Sequence, residues 1–154
     1  MFKDMRRKDR KLGNAETLEI LKNGEYGILS TISENGYPYA VPLSYIYMND
    51  SIYFDCSLEG QKLDNIKHDD KVSFCVIGKT HVLPDKFTTN YESAMIVGRA
   101  SEVLDEEKNK VLLELLHKYS PNDIEKGKEY IKKSDRATKI IKINIEHISG
   151  KARK

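Results

Sequence analysis

The sequence has few of the residues on which small secreted or metal-bound proteins depend. It contains no tryptophan, four prolines and two cysteines among its 154 residues. Two cysteines cannot form a disulfide framework or a structural zinc site, so we interpret Cys56 and Cys75 as small buried residues of strands. The four histidines do not fall at metal-ligand spacing, and no metal site is predicted.

Long apolar runs and several signature motifs are also missing. No segment approaches the roughly 20 apolar residues of a membrane span, and the charged N-terminus lacks the apolar core of a signal peptide. We therefore expect a cytoplasmic protein that does not bind membranes. The glycine-rich motifs of Rossmann sites and P-loops and the nucleophile elbow of hydrolases do not occur, which argues against those classes.

Positive charge is concentrated at the two ends of the chain. Residues 3–11 carry a net charge of +4 and residues 151–154 carry +3, although the whole chain carries only +2. A nucleic-acid-binding domain usually spreads its basic residues over a folded face. We therefore interpret residues 1–11 as a basic arm that aids solubility, and we predict no nucleic-acid partner.

The apolar pattern predicts one domain over residues 1–154 that is mainly β, a barrel of about six antiparallel strands with flanking helices. Strands are predicted where residues alternate or form short apolar runs: Tyr26–Ile32, Tyr37–Met48, Ser51–Cys56, Lys71–Gly78, Tyr91–Leu104 and Ile141–His147. Helical spacing or capping residues predict helices in four places: from an N-cap at Asn14 to Gly24, from Ser57 to Ile66, and over Asp105–Tyr119 and Asn122–Lys133. Residues 79–90, which contain Pro84, are predicted to form a loop.

The stretch Gly36–Ile66 predicts a ligand site. Two strands joined by an Asn49-Asp50 turn lead into a helix whose start offers the Ser57 hydroxyl, backbone N–H groups and Lys62. This combination suits a phosphate group, and the apolar strand beside it suits a planar ring. Spacing alone is equally consistent with a solvated Lys62 and with a Ser57 that only caps the helix.

The order of several segments resembles the pyridoxamine 5′-phosphate oxidase-like flavoproteins and, among them, the nitroimidazole-resistance proteins. The resemblance covers most of the chain, and its main segments are MRRKDRKL (5–12), ILKNGEYGILST (20–31), NGYPYAVPLSYIY (35–47), IYFDCSLEGQKLDNI (52–66), VSFCVIG (72–78) and KFTTNYESAMIVGRA (86–100). It implies a split β-barrel that binds FMN at the interface of a homodimer. It also implies an oxidoreductase that reduces small organic molecules, nitroaromatic compounds among them.

The resemblance further implies which residues hold the cofactor. The backbone along the flavin would be that of Val41, Pro42, Leu43, Ser44 and Tyr45. Cys56 and Ser57 would lie near the ribityl chain or the phosphate. Gln61 and Lys62 would bind the phosphate, and Ser93 would reach the flavin across the dimer. No catalytic residue is predicted.

The sequence departs from the family at two points. The arginine-rich phosphate clamp of the oxidases is reduced to Lys62, and residues that hold pyridoxamine phosphate have no counterpart, so vitamin B6 oxidation is not implied. Asp55 stands where some resistance proteins have histidine. Two alternatives stay open: a non-catalytic carrier of flavin, deazaflavin or haem, and a protein that binds nucleic acid or a partner through its basic ends.

Overall fold

The computed structural model describes residues 2–154, and strands dominate it. The seven strands are β1 (Gly27–Ile32), β2 (Pro38–Leu43), β3 (Ile46–Met48), β4 (Ser51–Cys56), β5 (Lys71–Leu83), β6 (Thr88–Val103) and β7 (Lys139–Arg153). The four α-helices are α1 (Asn14–Asn23), α2 (Gln61–His68), α3 (Asp105–Tyr119) and α4 (Ile124–Ser134). None of the helices in this range is long and apolar enough to cross a membrane.

All seven strands belong to one antiparallel sheet in the order β2-β1-β5-β6-β7-β4-β3. The two end strands, β2 and β3, are consecutive in sequence and are joined by the two residues Ser44 and Tyr45. The sheet must therefore curl until its ends meet, which confirms the predicted barrel. The strand predicted over Tyr37–Met48 is in fact two strands, and this break raises the strand number from six to seven.

Strands β5 and β6 are longer than the sequence predicts. The pairing continues past the barrel to Leu83 and Thr88, so the loop predicted over residues 79–90 is wrong. The two strands are separated only by a 3₁₀ turn at Pro84–Lys86 and by Phe87. Phe87 has the left-handed conformation, with φ at 51°. The β-branched residues of this segment favour the extended hairpin.

Local turn and bulge signals are confirmed. Asn49 and Asp50 both have positive φ, at 51° and 54°, which is the type I′ geometry of a two-residue hairpin between β3 and β4. Gly98 sits at a register shift between β6 and β7, where a Cβ would collide with the carbonyl oxygen of Asn144. The predicted close approach of backbone at Gly98 is therefore present.

The core fills the barrel and continues beneath α3. The larger cluster contains fully buried residues from most strands and from α1, among them Leu21, Leu29, Phe54, Phe74 and Ile96. A second cluster places the apolar face of α3 against residues of β3, β4 and β7. Helix α3 begins and ends where the sequence predicts, because its Val111, Leu112 and Leu115 recur on one face.

The basic arm is docked and does not extend into solvent. Lys11 forms an isolated bridge with Lys151 of β7, and the Leu12 N–H donates to the Gly150 carbonyl at 2.9 Å. The Phe2 ring stacks on His147 with centroids 5.0 Å apart. Helix α1 then begins one residue earlier than predicted, with Gly13 as the N-cap in place of Asn14.

Candidate functional site

The barrel is closed by the chain but not by hydrogen bonds between its end strands. Within residues 2–154, strand β2 pairs only with β1. Strand β3 pairs only with Ser51–Tyr53, so Phe54, Asp55 and Cys56 have a partner on the β7 side alone. One edge of β2 and one edge of this part of β4 are therefore unpaired, and they border a split in the wall.

The open edge of β2 has few hydrogen-bond donors. Ser33 N–H bonds to the Tyr37 carbonyl at 3.0 Å, and alternate residues of an antiparallel strand bond to the same neighbour, so Tyr39, Val41 and Leu43 bond to β1. Pro38, Ala40 and Pro42 then face the open edge, where the prolines have no N–H. Such an edge resists strand addition and leaves room for another occupant.

The residues of β2 predicted to line a flavin occupy this edge as follows. Val41 and Leu43 are half-buried and pack against the barrel core, whereas Pro42 and Ser44 are exposed. The strand therefore offers an apolar wall with its backbone accessible beside the split.

Tyr45 is different, because the protein already uses all of its polar groups. Its ring is fully buried edge-on to Phe74, and its hydroxyl donates to the Leu21 carbonyl at 2.5 Å. Its N–H donates to the Tyr119 hydroxyl at 3.0 Å, and its carbonyl accepts from Lys118 Nζ at 2.8 Å. Burial raises the pKa of the Tyr45 phenol. Tyr45 therefore anchors the end of the wall and has no free polar group for a ligand.

Lys118 and Tyr119, which together form a clamp on the Tyr45 backbone, are not among the site residues predicted from the sequence. Lys118 Nζ lies 3.9 Å from the centre of the Tyr45 ring, and Tyr119 also donates to the Glu25 carbonyl at 2.6 Å. Both residues end the amphipathic pattern of α3, where a tyrosine indicates packing only. No local signal in the sequence distinguishes these two residues from ordinary packing or surface residues of a helix. A cavity of about 610 Å³ opens between them and Ser44.

Across the split, β4 ends at Cys56 and the chain turns into α2. The helix begins at Gln61, so the predicted start at Ser57 is wrong, and Ser57 lies exposed in the connecting loop without capping anything. The N-cap is Gly60, at φ 150° and ψ 166°, a region that is essentially restricted to glycine. The Gly60 carbonyl accepts from the N–H groups of Leu63 and Asp64, both at 3.1 Å, so those of Gln61 and Lys62 are the free donors of this turn within residues 2–154.

Lys62 is the cation of this first helical turn. It is half-buried and makes no ion pair with the carboxylates of residues 2–154. Burial raises the pKa of the half-buried Cys56 thiol, and the charge of the nearby Lys62 opposes part of that rise. Gln61, one residue earlier, is exposed. The structure thus places Lys62 near Cys56 at the end of the split, with the exposed Gln61 one residue before Lys62.

Asn65 fixes the position of this helix. Its buried side-chain amide donates to Thr31 Oγ1 at 2.9 Å and to Ser33 Oγ at 3.3 Å, both at the end of β1. Leu63 and Ile66 add apolar contacts with the barrel core. Because β1 also carries β2, Asn65 sets the distance between Lys62 and the apolar wall.

Ser93 is not part of this group within one protomer. It pairs with Lys151 on β7, whereas Cys56 pairs with Lys139 on the same strand. The separation of these two partners corresponds to roughly 40 Å measured along an extended strand. Within one protomer, Ser93 and the Cys56–Lys62 region therefore lie beside opposite ends of β7.

Comparison with known proteins finds solved structures with the same fold. A protein 21% identical, proposed to be a 5-nitroimidazole antibiotic resistance protein of Bacteroides thetaiotaomicron, superposes with a TM-score of 0.79 over 92% of this chain and 86% of its own. A FAD-binding protein of Mesorhizobium loti is 23% identical, with a TM-score of 0.65 over 94% and 98%. A FAD- and haem-binding protein of Mycobacterium smegmatis is 17% identical, with a TM-score of 0.79 over 94% and 74%.

At these identities the solved structures establish the shared fold alone. No curated protein sequence matches the chain. The family model described as pyridoxamine 5′-phosphate oxidase matches residues 13–152, which is nearly the whole chain and includes both sides of the split. The chain therefore belongs to the pyridoxamine 5′-phosphate oxidase family.

Proposed function

We propose that this protein binds FMN in a homodimer and works as an oxidoreductase that reduces small organic molecules, nitroaromatic compounds among them. The observation that carries the proposal is the half-buried Lys62, free of any carboxylate within residues 2–154, in the first helical turn beside an open split. A phosphate bound in this position would give Lys62 the charge-assisted hydrogen bonds that it lacks within residues 2–154. The FAD-binding relatives of the same fold support a flavin as the molecule that carries the phosphate.

The residues present suit such a cofactor. Lys62, Gln61 and the first N–H groups of α2 would hold the phosphate, and Cys56 and the exposed Ser57 would lie beside the ribityl chain. The apolar wall of Val41 and Leu43, with the backbone of Pro42 and Ser44, would face the planar ring. The cofactor supplies the electron chemistry, while the chain positions it and leaves one face open to a substrate.

A homodimer is proposed because the sheet carries an apolar row on its outward face. Pro42, Ile28, Cys75 and Met95 stand in register across four neighbouring strands. Ile77 and Met95 on this face are 54% and 52% exposed, high values for large apolar side chains in a sheet. A second copy packed on this row would cover it and would carry its own Ser93 toward the split.

Cofactor binding is tested by titration of the purified protein with FMN and with riboflavin, followed by absorbance and by melting temperature. We expect FMN to bind more tightly than riboflavin, because only FMN has the phosphate. Lys62→Ala should weaken FMN binding by about 1–3 kcal/mol and leave riboflavin binding unchanged. Lys67→Ala, an exposed lysine on the same helix, is the matched control. A protein that stays colourless with FMN and shows no shift in melting temperature contradicts the proposal.

The dimer is tested by Met95→Glu, which places a charge in the centre of the apolar row. We expect sedimentation to show a dimer for the wild type and a monomer for the variant, with weaker FMN binding. Tyr130→Glu, on the exposed face of α4 and away from the row, should remain dimeric. A monomeric wild type that binds FMN with full affinity would remove the dimer from the proposal.

A non-catalytic carrier is the second candidate, and the FAD- and haem-binding relative favours it. Among the residues placed at the split, the ammonium of Lys62 would be engaged by the phosphate, and burial raises the pKa of the Cys56 thiol. The two functions differ in one measurement. An oxidoreductase loaded with FMN should be reduced by a nicotinamide nucleotide and reoxidised by a nitroimidazole under anaerobic conditions, whereas a carrier should do neither.

A further inference from the structure

The two basic ends of the chain converge on one tyrosine. Lys11 pairs with Lys151, so the arm and the C-terminal part of β7 run side by side. Tyr91 of β6 pairs with Arg153, and its ring lies 6.0 Å from Lys151 Nζ. Arg10 immediately precedes Lys11 in the arm, and both Arg10 and Lys151 lie close enough to Tyr91 to act on its phenol. Desolvation raises the pKa of this phenol, but the two nearby cations more than offset it, and the net pKa is lowered.

Neither Arg10 nor Lys151 forms an ion pair with a carboxylate of residues 2–154, although the charge of Asp9, which is paired with Arg7, also acts on Arg10. Four other cations of the two ends do have carboxylate partners: Arg7 with Asp9, Lys8 and Lys11 with Asp4, and Lys154 with Glu16. Arg153 donates to the Asn90 side chain at 2.9 Å. Two like charges around one hydroxyl repel each other, and an anion placed between them would relieve that repulsion.

We propose that Arg10, Tyr91 and Lys151 form an anion site that takes the phosphate group of a small-molecule ligand. A phosphate monoester carries up to two negative charges, which matches the two unpaired cations. The guanidinium, ammonium and phenol groups supply several convergent donors for its oxygens. The localisation of the free charge favours a single phosphate over a polyanion, because nucleic acid requires cations spread along its backbone.

Within one protomer, the anion site at Tyr91 is separate from the proposed phosphate site around Lys62. Lys151 is the strand partner of Ser93, whereas the Lys62 site lies at the Cys56 end, whose strand partner is Lys139. Two molecules could supply the phosphate: the flavin nucleotide held by a second protomer, which rests on the proposed function, or a separate phosphorylated ligand. Both present the same chemical group, so the experiment has to separate them.

The first test uses inorganic phosphate as the probe, with chloride at equal ionic strength as the reference. Phosphate should raise the melting temperature of the wild type. The double variant Arg10→Gln/Lys151→Gln should fold normally, since repulsion is removed, and should bind phosphate at least tenfold more weakly. Lys3→Gln/Arg6→Gln removes the same charge from exposed positions of the same arm and should behave as the wild type. An equal phosphate response in both double variants overturns the proposal, as does binding of a DNA duplex without binding of phosphate.

The second test identifies the source of the phosphate. If the double variant loses the preference for FMN over riboflavin, the site holds the phosphate of a flavin bound by the partner protomer. If FMN binding is intact and only the affinity for a 2′-phosphorylated nicotinamide nucleotide falls, the site holds a second ligand. A wild type that binds phosphate at this site but no FMN leaves the inference standing and rejects the proposed function.

Discussion

The hydroxyl of Tyr119 accepts a hydrogen bond from the backbone N–H of Tyr45 at 3.0 Å, although the two residues are far apart in sequence. The same hydroxyl donates to the Glu25 carbonyl at 2.6 Å, and Lys118 donates to the Tyr45 carbonyl. The end of α3 thereby holds the point where β2 passes into β3. The wall of the split takes its shape from a helix outside the barrel.

Loss of this hydroxyl should weaken the protein. Tyr119→Phe leaves the Tyr45 N–H and the Glu25 carbonyl without their partner, so we expect the free energy of unfolding to fall by about 1–2 kcal/mol. Urea denaturation measures the change. Tyr130→Phe, on the exposed side of α4, should change stability by less than about 0.5 kcal/mol. Equal effects of the two substitutions would show that the Tyr119 bond does not stabilise the fold.

The Gly60 turn should not accept a side chain. At φ 150° and ψ 166°, an alanine is strained by about 1–3 kcal/mol, although a Cβ there meets no atom within 4 Å. Gly60→Ala should therefore lower the free energy of unfolding through backbone strain alone and displace the first turn of α2. Glu59→Ala, the exposed neighbour, should be nearly neutral in the same denaturation experiment. A fully stable Gly60→Ala protein would mean that the turn adopts another conformation in solution.

The Asn65 amide should be needed to dock α2. Asn65→Ala leaves the hydroxyls of Thr31 and Ser33 without their partner and should cost about 1–3 kcal/mol. Hydrogen exchange should show faster exchange of α2 amides, while β6 and β7 remain protected. Asn109→Ala, exposed on α3, is the control and should leave exchange unchanged. Uniform acceleration over the whole chain would point to global destabilisation and would argue against a local anchor.

Lys118 should titrate well below the ordinary range of lysine side chains. Burial lowers its pKa to about 8, even though the Tyr45 ring and carbonyl favour the charged form. Between pH 8 and the ordinary lysine pKa of about 10.4, the unfolded chain holds more protons at this position. The cost of burying the charged Lys118 is therefore fully present below pH 8. This cost is lost as the pH rises from 8 to about 10.4, so the free energy of unfolding increases over that range.

NMR of ¹³C-dimethylated lysines checks this prediction. One resonance should titrate near pH 8 and should be missing from Lys118→Arg but not from Lys22→Arg, which alters an exposed lysine of α1. If every lysine titrates above pH 10, Lys118 is hydrated in solution and the clamp on Tyr45 is looser than described.

Local patterns in the sequence were enough to predict most of the strands and helices and the family that the chain resembles. Period-two alternation, the Asn49-Asp50 turn and the apolar face of Asp105–Tyr119 are local signals, because they depend on neighbours within a few residues. Their agreement with the structure extends to both ends of α3 and of β4. The family resemblance, which rests on the order of such segments, is confirmed over residues 13–152.

The tertiary structure alone decided where those segments meet. The break at Ser44 and Tyr45 follows from bonds to Tyr119 and Lys118, and the start of α2 follows from the backbone geometry of Gly60. The register of β7 separates Ser93 from Lys62 and brings the two basic ends together at Tyr91. These contacts join residues far apart in the chain, and no periodicity records them, since composition and spacing carry information only about neighbours.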